Sequence, residues 1–173
     1  MKRRDFSLLG FASVLPSFAQ AQSPDPGTPI DWPVISLLDG NKLDPASWRG
    51  QPAVVVFWAT YCPYCKRHNA HVDKLYRATQ GQPFRVLGVA LDTDENTVGR
   101  YMTVNGYSFP VTIDRGVLRQ RLTPRRVIPM TCVLDRRGRL VQAIPGEMSE
   151  DDVLGLARMA LTLTSPPLVD LRK

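Results

Sequence analysis

Cysteine is scarce in this chain: there are three among 173 residues, Cys62, Cys65 and Cys132. Three cysteines cannot make a disulfide-stapled scaffold, so stability must come from packing. A structural zinc site of the usual kind would need a second ligand pair beside Cys62 and Cys65, and Cys132 has no second cysteine near it. Histidine is rarer still, with His68 and His71 only. There is no internal repeat, no glycine-rich dinucleotide fingerprint and no phosphate-binding loop, so nucleotide chemistry has no foothold. No apolar run is long enough to span a bilayer reliably. The stretch Phe6–Leu15 is short and interrupted by Ser7, Gly10 and Ser13.

That stretch has a different meaning. The charged start Met1–Asp5, the apolar segment and Ala19-Gln20-Ala21 make a secretory signal peptide over residues 1–21. Arg3-Arg4-Asp5-Phe6 fits the twin-arginine pattern as well as the general export route. No cysteine follows the cleavage site, so a lipid anchor is unsupported. Export places the mature chain in a periplasmic, disulfide-permitting compartment. The net charge of +6 and a pI near 9.5 therefore do not point to nucleic acid. Residues 22–29 (QSPDPGTP) form a proline-rich linker, 30–163 one domain, and 164–173 a C-terminal tail.

The domain is organised around AVVVFWATYCPYC, residues 53–65. Val54, Val55, Val56 and Phe57 are a β-branched and aromatic run suited to a strand buried on both faces. From Lys66 onward the chain suits a helix, with no Gly or Pro before Gly81. Cysteines three apart at a strand-to-helix junction make a redox motif: Pro63 suits the first helical turn, and Cys62 falls at the helix N-terminus. The helix dipole there favours a thiolate by up to about 2 kcal/mol, enough to lower a thiol pKa by about 1 to 1.5. A structural disulfide or half a metal site is the alternative for the same pair.

The rest of the chain reads as an α/β fold. Trp32–Leu43 predicts a β-hairpin around Asp39-Gly40. Phe84–Leu91 is a second buried strand, and Asp94 caps a helix running to about Asn105 and closed by Gly106. Ser108–Ile113 is a short extended piece and Gly116–Leu122 a short helix. Met130–Leu134 and Leu140–Ile144 pair across Asp135–Gly138, and Ser149 to Asp152 opens a last amphipathic helix. That order gives a central mixed sheet with helices on both faces.

FWATYCPYC resembles the active-site stretch of the thioredoxin superfamily, in the form found in its TlpA/ResA-like extracytoplasmic branch. Phe109-Pro110-Val111 followed by Asp114 also matches, as does Ile128-Pro129-Met130-Thr131-Cys132-Val133-Leu134-Asp135, which is similar to that family's V-P-T-T-F-L-I-D segment. Tyr61 stands where a Trp is common, the dipeptide Pro63-Tyr64 is glutaredoxin-like, and Ala70 replaces a helix-kinking Pro. Met130 and Cys132 replace Thr and Phe, and His68 occupies a position where the branch often has Glu.

The resemblance implies a thioredoxin-like thiol–disulfide oxidoreductase with a redox disulfide between Cys62 and Cys65. Cys62 is the attacking thiol and Cys65 the resolving one. Pro129 is the cis-proline that faces the cysteines, with Ile128 pairing its backbone to substrate; Trp58, Tyr61, Pro63 and Tyr64 complete the substrate-binding rim. No cofactor and no metal are implied. The implied partners are protein thiols and disulfides, such as apocytochromes c or copper-site proteins, and a membrane electron donor of the DsbD/CcdA type. A monomer is expected. Between Asp92 and Ile128 there is no room for the helical insertion of DsbA-type oxidases, which favours a reductase over an oxidase or isomerase. A copper chaperone using Cys62, Cys65 and His68 is the reading from another class.

His68, one turn after Cys65, is a proton acceptor for that thiol or a partly solvated surface residue; His71 reads as surface. Cys132 is a core residue or a third redox thiol. Arg115, Arg119, Arg121, Arg125 and Arg126 form a solvated face or a basic rim for an acidic partner.

Overall fold

A computed structural model of the chain describes residues 29–123 and 125–162. The signal peptide, the linker up to residue 28 and the C-terminal tail lie outside the described residues. Pro29, read as the end of the linker, already bridges Arg139, and Ile30 N–H donates to Gly138 O (2.8 Å), so the domain's packing starts one residue earlier.

Strand β3 (Ala53–Trp58) is the spine. Its six residues are all buried, and they divide by the strand's two-residue period. Val54, Val56 and Trp58 enter one apolar cluster; Ala53, Val55 and Phe57 enter the other. Parallel to β3 lies β4 (Arg85–Ala90), and β5 (Val111–Thr112) is parallel to β4. On the other edge β6 (Met130–Leu134) is antiparallel to β3, and β7 (Leu140–Pro145) is antiparallel to β6. The order β5-β4-β3-β6-β7 makes a five-stranded mixed sheet. The expected hairpin forms a separate two-stranded sheet, β1 (Ile35–Ser36) with β2 (Lys42–Leu43), and Gly40 supplies the left-handed turn residue at φ 83°.

Helix α1 (Pro63–Ala78) covers the Val54/Val56 face together with α4 (Glu150–Thr162), through Val72, Leu75, Val153, Leu156 and Ala160. Helix α2 (Glu95–Asn105) joins that layer through Val98 and Met102. It begins at the expected Asp94 cap, whose carboxylate accepts from the Asn96 and Thr97 N–H groups, and it ends at Gly106 in the left-handed conformation. Helix α3 (Arg115–Leu122) covers the opposite face with Leu118 and Leu122, beside the β1–β2 hairpin and Trp48.

Two features fix the packing beside β5. In α1, Asp73 accepts from Ser108 N–H (2.6 Å) and Ser108 Oγ (2.9 Å) and pairs with Arg77 (2.6 Å). These bonds hold its carboxyl below the usual range even though burial pushes the other way. In the sheet, Gly88 lets two rings close over β4. A β-carbon there would stand 2.7 Å from Phe109 Cε2 and 2.9 Å from Trp58 Nε1.

Those rings are rigid and fully packed, so Gly88→Ala should destabilise the domain by about 1–3 kcal/mol. Urea unfolding followed by tryptophan fluorescence reads this, and a loss below about 0.5 kcal/mol would mean the rings move aside.

Candidate functional site

The chain leaves β3 at Trp58 and enters α1 at Pro63, with Cys62 as the helix N-cap. Pro63 occupies the first helical turn, where its missing N–H is harmless and its fixed φ suits the helix. Cys62 Sγ accepts from the Cys65 N–H at 3.2 Å, so sulfur takes the place of a capping oxygen. A thiolate at this point faces the positive end of the helix dipole and a backbone donor at once. The Cys62 and Cys65 Cα atoms are 5.2 Å apart and the two sulfurs form a disulfide. Cys62 keeps 8% of its surface exposed and Cys65 none. The first cysteine is thus the only one of the pair that a partner can reach.

Across from it comes the turn before β6. The Ile128–Pro129 peptide bond is cis, and Ile128 O lies 4.0 Å from Cys62 Sγ. Pro129 is buried, Ile128 is half-buried, and Gly146 N–H donates to Pro129 O at 2.8 Å. Tyr61 and Tyr64 are 73% and 58% exposed and flank the cysteines with exposed Pro63; Arg67 lies over the Tyr64 ring at 5.1 Å.

Trp58 does not belong to this rim. It is wholly buried beneath it, its ring 5.3 Å from that of Tyr101, because the sixth position of β3 faces the α1–α2 layer rather than solvent. The surface alternative for His68 is likewise overturned. His68 is fully buried on α1, its Nε2 3.0 Å from Thr131 Oγ1 and its Nδ1 accepting from Met148 N–H at 3.3 Å. The acceptor role of Nδ1 places the ring proton on Nε2, which donates to Thr131. Burial, then the neighbouring His71, lowers the His68 pKa from 6.5 to about 4, and Glu147 opposes this only weakly. The ring is therefore neutral at every ordinary pH. His71 is half-buried, 3.5 Å from Glu150. Cys132 is a core residue: it is wholly buried in β6, and desolvation pushes its thiol up to about 12, far from any thiolate. The donor set of the copper reading is not assembled; among the described residues no three His, Cys, Asp or Glu side chains gather as a metal site.

One support was not anticipated. Asp92 accepts from Thr60 N–H (3.0 Å) and Thr60 Oγ1 (2.5 Å), which pins the loop just before Tyr61 and Cys62. Parallel pairing sets Trp58 opposite Ala90, so the residues two further on, Thr60 and Asp92, leave the sheet side by side. Only the register carries that signal.

A family model described as Redoxin matches residues 15–159. The chain belongs to the redoxin family. A thiol–disulfide oxidoreductase ResA of Halalkalibacterium halodurans is 32% identical over 120 residues, which cover 69% of this chain and 68% of that protein. A thioredoxin-family thiol:disulfide interchange protein from Chlorobium tepidum is 26% identical with a TM-score of 0.69, covering 83% of this chain and 99% of that one. StoA from Bacillus subtilis shares the fold at 19% identity and a TM-score of 0.61, covering 71% and 93%. This redoxin is a thiol–disulfide oxidoreductase with a Cys62–Cys65 pair on a thioredoxin-like fold.

The His68 environment has a measurable consequence. Between about pH 4 and 6.5 the unfolded chain binds a proton that the native imidazole refuses, so stability is full above pH 6.5 and falls as pH drops towards 4. The loss attributable to this residue is at most roughly 3 kcal/mol. NMR titration of the imidazole should place its midpoint well below 5, and His68→Gln should flatten the stability curve in that window; a midpoint near 6.5 would show a solvated ring.

Proposed function

We propose that this redoxin is an extracytoplasmic dithiol that reduces disulfides in partner proteins. The observation that carries the reading is the asymmetry of the pair: Cys62 caps α1 at the surface, 4.0 Å from Ile128 O, while Cys65 is sealed beneath it.

Cys62 as thiolate attacks one sulfur of the partner disulfide. A mixed disulfide forms, and the partner's other sulfur leaves as a thiolate and takes up a proton. Cys65 then loses its proton and attacks Cys62 Sγ, releasing the partner's second thiolate. The partner gains two electrons and two protons, and the Cys62–Cys65 disulfide holds the oxidising equivalents. Ile128 pairs its backbone with the incoming segment beside cis-Pro129, and Tyr61, Pro63 and Tyr64 flank it. Return to the dithiol needs an external thiol donor, a membrane carrier of the DsbD/CcdA type. Apocytochromes c and copper-site proteins are the substrates that the family likeness favours. Residues 1–21 export the chain to the periplasm, where it acts as a monomer.

His68 receives the Cys65 proton. It stands one turn after Cys65 on the buried face of α1, where a helical side chain leans back towards the preceding turn. Its Nδ1 is the basic atom; it accepts from Met148 N–H at 3.3 Å, so taking the proton breaks that bond, and a pKa lowered to about 4 by burial makes it a weak acceptor.

Trapping tests the attack. Cys65→Ala should accumulate mixed disulfides through Cys62 that dithiothreitol releases, and iodoacetamide at about pH 6–7 should label Cys62 of the reduced protein first. Adducts that persist in a Cys62→Ala protein, or first labelling of Cys65 or Cys132, would overturn the assignment.

Proton transfer is tested by resolution kinetics. His68→Ala should slow release of a preformed mixed disulfide about ten-fold at pH 7, the low end of general acid–base effects since water substitutes. The wild-type contribution should hold level down to about pH 5, because the ring charges only near 4. If His68→Gln, which keeps the hydrogen bonds, restores the rate, then His68 only positions the helix.

A further inference from the structure

Beside the cysteine pair lies a concentration of positive charge that the redox step leaves unused. Arg115 Nη1 donates to Leu91 O (3.1 Å) and Asp92 O (2.8 Å), tying the start of α3 to the end of β4, and Asp92 in turn holds Thr60. Arg119 Nη2 donates to Arg125 O (2.8 Å), so the segment before Ile128 packs against α3. Arg125, Arg126 and Val127 are exposed and lead directly into Ile128, whose carbonyl is 4.0 Å from Cys62 Sγ. Arg119 lies near enough to Arg126 and Arg115 to be disfavoured as a cation by both, after burial, and near enough to Tyr61 to be favoured by it.

Four arginines elsewhere are paired. Arg67, Arg77 and Arg139 bind Glu147, Asp73 and Asp135 at 2.6 Å, and Arg121 sits 3.5 Å from Asp31. Among the described residues Arg115, Arg119, Arg125 and Arg126 have no carboxylate partner, and Arg119 Nε is buried without any acceptor. Asp92 is hydrogen-bonded by Thr60 and Asp114 by Ser36 N–H (3.2 Å), and neither forms an ion pair with these arginines. Guanidiniums gathered without an ion-pair partner repel one another, a cost that a solvated surface would avoid by mixing signs. Here Arg119 lies near exposed Tyr61, and tyrosine with arginine is the composition of a protein-binding surface.

We propose that this rim docks an acidic segment of the partner protein that flanks its reactive disulfide. Carboxylates of that segment supply the counter-charge the arginines lack, and the tyrosines cover its apolar atoms. The rim thereby steers the disulfide onto Cys62 and selects among partners by charge, not by the chemistry of the sulfur. The inference rests on the thiol–disulfide reading above.

Two cystine peptides of equal length and ring size, one with Asp/Glu flanks and one with Lys flanks, separate the two ideas. The reduced protein is mixed with each, and single-turnover thiol release is followed. At about 0.01 M salt the acidic peptide should react at least about ten-fold faster, and the advantage should shrink towards parity at about 1 M, where screening acts within a few ångströms. In Arg125→Glu/Arg126→Glu the preference should invert. Parity at low salt, or a preference that survives the double charge reversal, overturns the proposal. Reaction with neither peptide would instead overturn the thiol–disulfide reading. Vesicles of phosphatidylglycerol provide the remaining arm: arginine-dependent sedimentation with them, alongside parity between the peptides, assigns the rim to a lipid surface and overturns the acidic partner.

Discussion

The chemistry depends on where the C-terminal end of β3 is held. A strand with neighbours on both edges and apolar layers on both faces has almost no freedom to shift. A one-residue slip of β3 would carry Trp58 from the α1–α2 layer to the opposite face. The residues after it inherit that rigidity. Thr60 is fixed by Asp92, Cys62 by its place as the cap of α1, and Ile128 by the antiparallel register of β6, where Phe57 pairs with Met130. Three separate stretches of chain thus converge around Cys62 because two parallel strands end and one antiparallel strand begins at the same level.

Burial then divides the two cysteines between environments that sequence spacing alone does not distinguish. Cys62 has the helix end, a backbone donor and a residue of solvent contact; Cys65 has only the interior of the α1 layer. Desolvation penalises a charge on the second sulfur, whereas the dipole rewards one on the first. The pair is chemically ordered by geometry.

Much of this was legible in the residues. The β-branched and aromatic run Val54–Phe57, the Pro after the first Cys, the Asp94 and Gly106 punctuation of α2 and the Ser149–Asp152 cap each state a local rule that packing does not contradict. What could not be read is what depends on distance through space. Trp58 looks like a rim residue by its nearness in sequence to Cys62, but strand alternation and the vacant side of Gly88 draw it into the core. Asp92 lies just past the strand Phe84–Leu91, and only the β3–β4 register reveals it as a clamp. His68 lies among Lys66, Arg67 and Lys74 in a helix of largely polar sequence, so the face it occupies was ambiguous until α4 and β6 closed over it.

The histidine also shows how burial treats titratable groups of opposite sign. A glutamate at this position would have its pKa raised by desolvation, and an imidazole has its pKa lowered; each is driven towards its neutral form. The neutral forms differ in what they can hold. A protonated carboxyl has one donor on a flexible stem, whereas the neutral imidazole is a rigid plate with a donor at one end and an acceptor at the other. Nε2 meets Thr131 on β6 and Nδ1 meets the N–H of Met148 just ahead of α4. One side chain of α1, three positions after Cys65, is therefore bound at once to the sheet and to the approach of the last helix.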